Sequence, residues 1–214
     1  SIGKTVIDII KKDKKNFEIT LLTADKNYKE LIKQAKYFKV KNLIISDPKR
    51  FVILKKDSYC KKINVYQNFK DLDKIFKKKN QFIMSSITGL DGLSPTLKSI
   101  KYTQNILIAN KESIICGWNL IKKKLIKYKT NFIPVDSEHF SIWSLLNNNE
   151  KLKIEKIYIT ASGGPFLNLS KKKFPKITVD SALKHPRWKM GKKISIDSAT
   201  MMNKLFEVIE AKNI

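Results

Sequence analysis

Arginine, cysteine, glycine and proline are scarce in this chain of 214 residues, and the scarcities exclude several classes of protein. Seven glycines and six prolines rule out collagen-like and low-complexity chains. The two cysteines, Cys60 and Cys116, lie far apart without metal-ligand spacing, which favours a reducing compartment over a disulfide scaffold. No run approaches the ~20 uncharged apolar residues that a membrane-spanning helix needs. We therefore expect a globular protein of the cytoplasm, or of a plastid-type stroma in a eukaryote, with no membrane partner.

The charge is strongly positive, with 44 Lys and Arg against 19 Asp and Glu and a formal net charge of +25. Such an excess first suggests a polyanion partner, because clustered basic side chains bind phosphates. Only Arg50 and Arg187 are arginine, however, although arginine is the preferred residue for bidentate phosphate contacts. The lysines also follow the polar positions of amphipathic segments such as 71–79 and 120–129. This distribution favours a solvated basic surface and no nucleic acid, with a non-enzymatic basic nucleic-acid-binding module as an alternative.

Short apolar runs alternate with helical periodicity through the first two thirds of the chain. Such alternation predicts βαβ units and a parallel sheet covered by helices on both faces. The predicted strands are 17–23, 42–46, 81–87, 105–109 and 131–135. The predicted helices are 4–12, 27–38, 69–78, 92–100 and 112–127.

The rhythm changes near Pro134, where we predict a boundary between a domain of residues 1–133 and another of residues 134–214. The predicted elements after it are a helix over 137–146, a strand over 154–160, an irregular stretch over 161–193, a strand over 194–197 and a helix over 198–212. The helix 4–12 follows Ser1-Ile2-Gly3 directly, where an open parallel sheet usually has a strand and a Gly-rich turn. We therefore expect both ends of the chain to be cut.

Two strand-to-helix turns carry polar side chains at the same predicted edge of the sheet. In Pro134-Val135-Asp136-Ser137-Glu138-His139, the two carboxylates repel unless a cation or a shared proton offsets the charge. The alternative is a helix N-cap, with Asp or Ser at the cap and Glu in the first turn. In Ala109-Asn110-Lys111-Glu112-Ser113, the lysine either faces a site or pairs with an acid across the turn.

The last predicted helix places Asn203, Lys204 and Glu207 on one face by their i, i+3 and i+4 relations. An amide, an ammonium and a carboxylate on one face suit a phosphate beside a metal ion. Ser198, near the predicted start of this helix, would add a hydroxyl where backbone N–H groups favour anions. The alternative is a solvated helix face with a Lys–Glu pair.

Two further segments are weaker signals when taken alone. Thr160-Ala161-Ser162-Gly163-Gly164-Pro165-Phe166 suits either an anion cradle or any tight turn. His185-Pro186-Arg187-Trp188-Lys189-Met190-Gly191 places one of two histidines in a loop that suits a lid over a substrate. A lone loop histidine is nevertheless more often a surface residue.

The joint order of these five motifs closely resembles the 1-deoxy-D-xylulose 5-phosphate reductoisomerase family. The match is strong over 105–211 and looser over 1–104. The resemblance implies an α/β fold, with a Rossmann-like parallel-sheet nucleotide-binding domain followed by an incomplete α/β catalytic domain. It implies NADPH- and Mg²⁺- or Mn²⁺-dependent rearrangement and reduction of a small phosphosugar in non-mevalonate isoprenoid biosynthesis, by a homodimer. The alternative enzyme is another NAD(P)-dependent dehydrogenase without the metal chemistry.

The resemblance also implies roles for individual residues. The implied metal ligands are Asp136, Glu138 and Glu207. The implied catalytic residues are Lys111, Asp136, Glu138, Glu207 and His185. The implied substrate contacts are Ser137, Ser162, His185, Trp188, Met190, Ser198, Asn203 and Lys204. The implied cofactor contacts are Ser1, Ile2, Gly3, Asp25, Lys26, Asn27, Asn110, Lys111, Glu112 and Gly191.

Two positions depart from the family pattern. Asp25 stands where the family commonly has glycine, and an acid there favours a free ribose 2′-OH, which weakens the expectation of strict NADPH use. Lys26 beside it suits the 2′-phosphate of NADPH. Leu205 replaces a common glycine of the final helix, and helical spacing places it away from Asn203 and Lys204, so we expect altered packing without lost chemistry.

Overall fold

A computed structural model describes residues 2–147, 154–186 and 191–213. The helices are α1 Ile2–Lys12, α2 Tyr28–Phe38, α3 Pro48–Lys56, α4 Leu72–Ile75, α5 Leu93–Ser99, α6 Lys111–Tyr128, α7 Ser137–Asn147, α8 Val179–Ala182, α9 Lys192–Ala199 and α10 Met202–Asn213. The strands are β1 Leu22–Ala24, β2 Asn42–Ile45, β3 Asn64–Tyr66, β4 Asn80–Ser85, β5 Thr103–Ile108 and β6 Asn131–Pro134. Short 3-10 turns lie at Lys14–Asn16, Cys60–Lys62, Phe69–Asp71, Leu90–Gly92, Ile100–Tyr102 and Lys171–Lys176.

The strands form two three-stranded sheets, in the orders β1-β2-β3 and β4-β5-β6, and all four pairings are parallel. In the first sheet Leu22 pairs with Leu43, which pairs in turn with Val65. In the second sheet Ile106 pairs with Ile83 and with Phe132. Parallel strands require crossover connections, and the intervening helices supply them. The predicted α/β class with Rossmann-like parallel sheets is confirmed.

The apolar core follows from strands that are buried on both faces. Leu43, Ile44 and Ile45 of β2 are fully buried, and so are Ile106 of β5 and Ile114 of α6. Such continuous apolar runs are typical of central strands in parallel sheets. A cluster around Ile44 also includes partly buried Ile83 of β4, so it packs across both sheets.

The two sheets approach each other beside β1 and β4. Thr20 Oγ1, just before β1, donates a hydrogen bond of 3.1 Å to Asn80 Oδ1 at the start of β4. A Cβ atom on Gly3 would lie 3.0 Å from Ser86 Oγ, so α1 begins close to the carboxyl end of β4. In the part of the chain that the structure describes, no helix has both the length and the apolar character of a membrane span.

Most predicted elements of the first 147 residues are confirmed, with shifted ends. The sequence analysis missed α3 and β3. Helix α3 begins with an unambiguous signal, because Asp47 accepts a hydrogen bond of 2.8 Å from Arg50 N and Pro48 occupies the first turn. Strand β3 has only three residues, too few for a period to be recognised.

Two predicted strands in the last third are wrong. Residues 154–160 form no strand, and Tyr158 is 85 % exposed, because no described segment pairs with this stretch. Residues 194–197 lie inside α9, where Lys193 and Asp197 form an i, i+4 ion pair of 2.6 Å that favours the helix. The helix predicted over 198–212 is divided, because Met201 takes a positive φ of 60° between α9 and α10.

Candidate active site

The carboxyl ends of β5 and β6 bring the first turns of α6 and α7 to one edge of the second sheet. Asn110 caps α6 by accepting a hydrogen bond of 2.6 Å from Ser113 N. Its amide also donates to the carbonyl oxygens of Ile87 and of Gly89, the latter at 2.7 Å. The buried Asn110 side chain thus fixes the loop after β4 against the start of α6. The position of Lys111, the next residue, follows from this cap.

Lys111 connects the two turns to α10. Its Nζ lies 3.0 Å from Glu207 Oε1 and 3.5 Å from Asp136 Oδ2, and its side chain is only 19 % exposed. Burial alone would lower the pKa of Lys111, but the Asp136 and Glu207 carboxylates outweigh it and raise the pKa. Lys111 is therefore a buried ammonium that balances two acids from distant parts of the chain.

Glu207 is a buried carboxylate with three hydrogen-bonding partners. Besides Lys111, Asn203 Nδ2 donates to Oε1 at 2.6 Å, and Lys204 Nζ donates to Oε2. The prediction that Asn203, Lys204 and Glu207 lie on one face of the helix is confirmed, because the first two side chains both donate hydrogen bonds to the third. Two ammonium groups and an amide thus contact a carboxylate that is only 2 % exposed.

Asp136 caps helix α7 and also contacts two basic side chains, His139 and Lys111. It accepts a hydrogen bond of 2.8 Å from His139 N, which is the N-cap geometry considered in the sequence analysis. His139 Nδ1 also lies 2.5 Å from Oδ1 and 2.6 Å from Oδ2. Burial opposes ionisation of Asp136, but the hydrogen bonds from His139 and the charge of Lys111 lower its pKa. Burial likewise opposes the imidazolium form of His139, but the Asp136 hydrogen bond raises its pKa.

The three predicted metal carboxylates do not form one group. Among residues 2–147, 154–186 and 191–213, one cluster of three side chains could hold a metal ion. It consists of Asp136, His139 and Glu210, whose ligand atoms all lie within 4.8 Å of one another. Glu138 accepts a hydrogen bond of 2.9 Å from Ser137 Oγ, and Glu207 pairs with Lys111. Asp136 and Glu207 thus share the Lys111 cation, whereas Glu138 is bonded to Ser137. The metal assignment stays a prediction.

Glu210 lies one turn after Glu207 on α10 and is also buried. Burial, and then the negative charge of Asp136, raise the pKa of Glu210 to about 7. Its Oε2 atom has no hydrogen-bond partner among the described residues and lies 3.5 Å from His139 Nδ1. Glu210 and the ring of His139 were both missed as functional candidates. The available signal was spacing, because each follows a predicted ligand by three residues.

The predicted phosphate contacts are brought together in part. Ser162 Oγ lies 3.2 Å from His185 Nε2 and accepts a hydrogen bond of 3.3 Å from Gly164 N. Gly164 has a φ of 68°, and a Cβ atom there would lie 2.8 Å from the carbonyl oxygen of Ser198. The glycine turn therefore packs closely against the end of α9. The expectation that Ser198 begins a helix is wrong, because it lies in the last turn of α9.

The remaining cofactor candidates occupy two regions. Glu112 forms an ion pair of 2.7 Å with Lys193, two residues after Gly191 at the start of α9. Burial opposes ionisation of Glu112, but the hydrogen bond and charge of Lys193, together with backbone hydrogen bonds, outweigh it and lower the pKa of Glu112. Ile2 and Gly3 lie in the first turn of α1. Ser1, Trp188 and Met190 lie outside the described residues.

The end of β1 carries the other cofactor candidates, which are exposed. Asp25 Oδ1 accepts a hydrogen bond of 2.9 Å from Ser46 Oγ, which follows β2. Asn27 caps α2 by accepting a hydrogen bond of 3.2 Å from Glu30 N. Lys26 lies between them. The three side chains thus stand at the carboxyl edge of the first sheet, where α/β proteins bind ligands.

Comparisons with known proteins agree with this architecture. A family model described as 1-deoxy-D-xylulose 5-phosphate reductoisomerase matches residues 1–117, and one for the C-terminal domain of that enzyme matches residues 132–214. The enzyme of that name from Pelagibacter ubique is 64 % identical over the whole chain, and that from Wolbachia pipientis of Culex pipiens is 43 % identical. The chain spans about half the length of these curated relatives, 56 % and 55 %.

Solved structures give the same result. The reductoisomerase from Zymomonas mobilis in complex with NADPH superposes with a TM-score of 0.87 and 34 % identity, over 100 % of this chain and 55 % of that one. A DOX-P reductoisomerase in complex with NADPH, fosmidomycin and magnesium superposes with a TM-score of 0.84 and 32 % identity, with the same coverage. Parallel sheets with polar residues at their carboxyl ends define a Rossmann-like α/β protein. Within this class, the chain belongs to the 1-deoxy-D-xylulose 5-phosphate reductoisomerase family.

Proposed function

We propose that the whole protein catalyses the NADPH- and divalent-metal-dependent rearrangement and reduction of 1-deoxy-D-xylulose 5-phosphate to 2-C-methyl-D-erythritol 4-phosphate. The observation that carries this proposal is the convergence of Lys111, Asp136 and Glu207 on one buried point. The motifs that contain these three residues resemble those of the family to which the chain belongs, which supports the assignment. The NADPH and magnesium held by a solved relative support the choice of cofactors.

The residue types of the three implied ligands suit a hard divalent cation such as Mg²⁺ or Mn²⁺. Asp136, Glu138 and Glu207 offer carboxylate oxygens, which these ions prefer. Asp136 and Glu207 both contact the Lys111 ammonium, so a divalent cation that displaced it would meet two carboxylates. When bound, the metal supplies Lewis-acid polarisation of substrate oxygens.

The other side chains position the substrate and exclude water. The Lys111 ammonium, with Ser137, is assigned to the oxygens of the reacting carbon skeleton. The phosphate is assigned to Ser162, His185, Ser198, Asn203 and Lys204, with Trp188 and Met190 covering the substrate. Binding energy from the phosphate, which does not react, can be used to orient the carbons that do. The cofactor supplies the hydride, and the protein supplies its orientation.

The domain assignment and the remaining predictions belong to the same proposal. Residues 1–133 are assigned to nucleotide binding, and residues 134–214 to the metal and substrate. We assign the contacts with the nucleotide to four segments of the chain. These are residues 1–3, residues 25–27, residues 110–112 and Gly191. We also propose that the protein is a homodimer, which sedimentation of the purified protein would test. We place it in the cytoplasm.

The decisive experiment follows NADPH absorbance in the full encoded protein. We expect oxidation that depends on 1-deoxy-D-xylulose 5-phosphate, stops with EDTA and returns with Mn²⁺. Glu207→Gln keeps the shape of the side chain and should abolish this activity, whereas Asp180→Asn, an exposed acid of α8, should not change it. NADPH oxidation that EDTA leaves intact would favour another NAD(P)-dependent dehydrogenase and would overturn the proposal.

A further inference from the structure

His139 is a completely buried side chain that contacts both acidic segments of the site. Its Nδ1 faces the Asp136 carboxylate at 2.5 and 2.6 Å, and its Nε2 lies 2.8 Å from the carbonyl oxygen of Glu207. Asp136 precedes α7, whereas Glu207 lies on α10, 71 residues later in the chain. One imidazole ring therefore links the backbone of one predicted metal ligand to the carboxylate of another.

The partners define how the ring is bonded. A carbonyl oxygen only accepts hydrogen bonds, so Nε2 must donate to Glu207. Carboxylate oxygens also accept, so Nδ1 must donate to Asp136. A ring that donates from both nitrogens links two acceptors at fixed separation, which a flexible side chain does less well.

Glu210 adds a second point of attachment on α10. Its Oε2 lies 3.5 Å from His139 Nδ1 and is buried without a hydrogen-bond partner among the described residues. Because Glu210 follows Glu207 by three residues, both face the same side of the helix. The ring therefore contacts α10 through a main-chain carbonyl and through a carboxylate.

The ring is not needed to begin α7. The backbone N–H of His139 already supplies the cap hydrogen bond to Asp136 at 2.8 Å. Any residue except proline at position 139 would retain that N–H group. The contacts of the ring are therefore additional to the cap, and what they add is the link to α10.

We propose that His139 is a positioning residue that sets the Asp136 carboxylate relative to Glu207 for binding of a divalent cation, with Glu210 as its second anchor on α10. This rests on the proposed function, because it assumes that Asp136 and Glu207 hold the metal. Partners that orient metal ligands from outside the coordination sphere commonly change metal affinity by about 10- to 100-fold when they are replaced.

The test measures Mn²⁺ binding by electron paramagnetic resonance in the full encoded protein, without substrate, and thermal unfolding of each variant. His139→Asn keeps a donor near Nδ1, and His139→Gln keeps one near Nε2, so each retains half of the link. We expect both to bind Mn²⁺ about 10-fold more weakly or worse, and Glu210→Gln to bind it several-fold more weakly. Ser144→Ala, which removes a hydroxyl bonded only within α7, is the matched control and should bind as the wild type does.

The outcomes separate the positioning role from the proposed function. Wild-type affinity in folded His139 variants would overturn the positioning role, provided that Glu207→Gln weakens binding. If both His139 variants fail to fold, Glu210→Gln decides, because wild-type affinity in that variant would overturn the proposed link from His139 to α10. A wild-type protein that binds no Mn²⁺, or binds it unchanged after Glu207→Gln, would overturn the proposed metal site itself. A rate that half-saturates at higher Mn²⁺, with unchanged unfolding temperature, would support positioning over a general structural role.

Discussion

Lys111 is the cation on which two buried acids depend for charge balance. Breaking a fully buried ion pair by removing one partner costs about 3–5 kcal/mol. Because the Lys111 side chain is 19 % exposed, we expect Lys111→Met to lower the free energy of unfolding by about 2 kcal/mol. Urea unfolding of the full encoded protein measures this loss.

The same variant makes the acids available to another cation. We expect added Mn²⁺ to raise the unfolding temperature of Lys111→Met by more than that of the wild type, because binding to the native state stabilises it. Lys193→Met, which removes a more exposed ammonium between Glu112 and Asp197, is the control and should show the wild-type response. An equal response in Lys111→Met would contradict the charge-balance argument.

Asp25 is expected to weaken discrimination between NADPH and NADH. Its carboxylate, held by Ser46, lies at the end of β1, where an acid favours a free ribose 2′-OH and repels a 2′-phosphate. Two like charges close together near a protein surface repel by about 1–4 kcal/mol. We therefore expect Asp25→Gly to raise the ratio of kcat/KM for NADPH over NADH by about 10-fold, which corresponds to 1.4 kcal/mol. Steady-state kinetics with both cofactors measure the ratio, and an unchanged ratio would contradict the prediction.

The two cysteines are expected to differ sharply in reactivity. Burial, and then the negative charge of Asp57, raise the pKa of the Cys60 thiol to about 11. Since the thiolate is the nucleophile, Cys60 should resist iodoacetamide in the native protein at pH 8, whereas the exposed Cys116 should react. Peptide mass spectrometry after brief labelling distinguishes the two. Labelling in urea should make both react, and native labelling of Cys60 would be the contrary result.

At the scale of elements, Asn110 joins the cap of α6 to the loop after β4. Asn110→Ala removes the cap acceptor and leaves the carbonyls of Ile87 and Gly89 without their donor. Loss of a cap costs about 0.5–2 kcal/mol, and an unsatisfied buried group about 1–3 kcal/mol. We expect a loss of about 2 kcal/mol or more in urea unfolding.

Asn110→Asp separates the two roles of this side chain. Aspartate keeps the acceptor for Ser113 N but loses the amide donor and places a carboxylate against two carbonyl oxygens. The variant should therefore remain destabilised although it is an excellent cap residue. Wild-type stability in Asn110→Asp would show that the loop contact contributes little.

The elements that the sequence predicted well are those with long, regular signals. Helix α6 has 18 residues with apolar positions at helical spacing, and strands β2 and β5 each end in three consecutive apolar residues. The errors fall on short runs with weak periodicity. Residues 194–197 alternate apolar and polar like a strand, but Lys193 and Asp197 pair across one helical turn. A four-residue pattern does not distinguish these outcomes.

The candidate site was predictable where one residue type suits one chemistry. The motifs of Asp136, Glu207 and Lys111 left a structural interpretation open for each, and the family resemblance implied their roles; the structure brings the three side chains together. His139 and Glu210 were missed because their significance depends on a contact across about 70 residues of sequence. Ser198 was misplaced because the break at Met201 is a backbone conformation, φ 60°, at a residue type that rarely adopts it.

At the scale of the whole molecule, the net charge of +25 comes almost wholly from lysine, and exposed lysines are spread over the part of the chain that the structure describes. Exposed lysines at 12, 33, 56, 78, 98 and 123 lie on or after different helices and strands. Such a surface attracts polyanions through long-range potential and supplies no geometry for recognition. Glu207, by contrast, is buried and paired with Lys111 and Lys204, and Asp136 is only 15 % exposed and paired with Lys111, so salt screens these two carboxylates much less.

This difference predicts that salt weakens the binding of two ligands of the full encoded protein to very different extents. Binding to an arbitrary DNA duplex, measured by fluorescence anisotropy, should be weak and should fall by about 10³-fold or more between 50 and 200 mM NaCl, because it depends on counterion release. Mn²⁺ binding over the same range should change by less than about 10-fold, because salt screens interactions at buried and partly buried carboxylates such as Glu207 and Asp136 much less than those at exposed charges. Tight duplex binding that survives 200 mM NaCl, with no binding of Mn²⁺ or NADPH, would instead favour a nucleic-acid-binding module. The charge would then be functional, and the buried Lys111–Glu207 pair would have only a structural role.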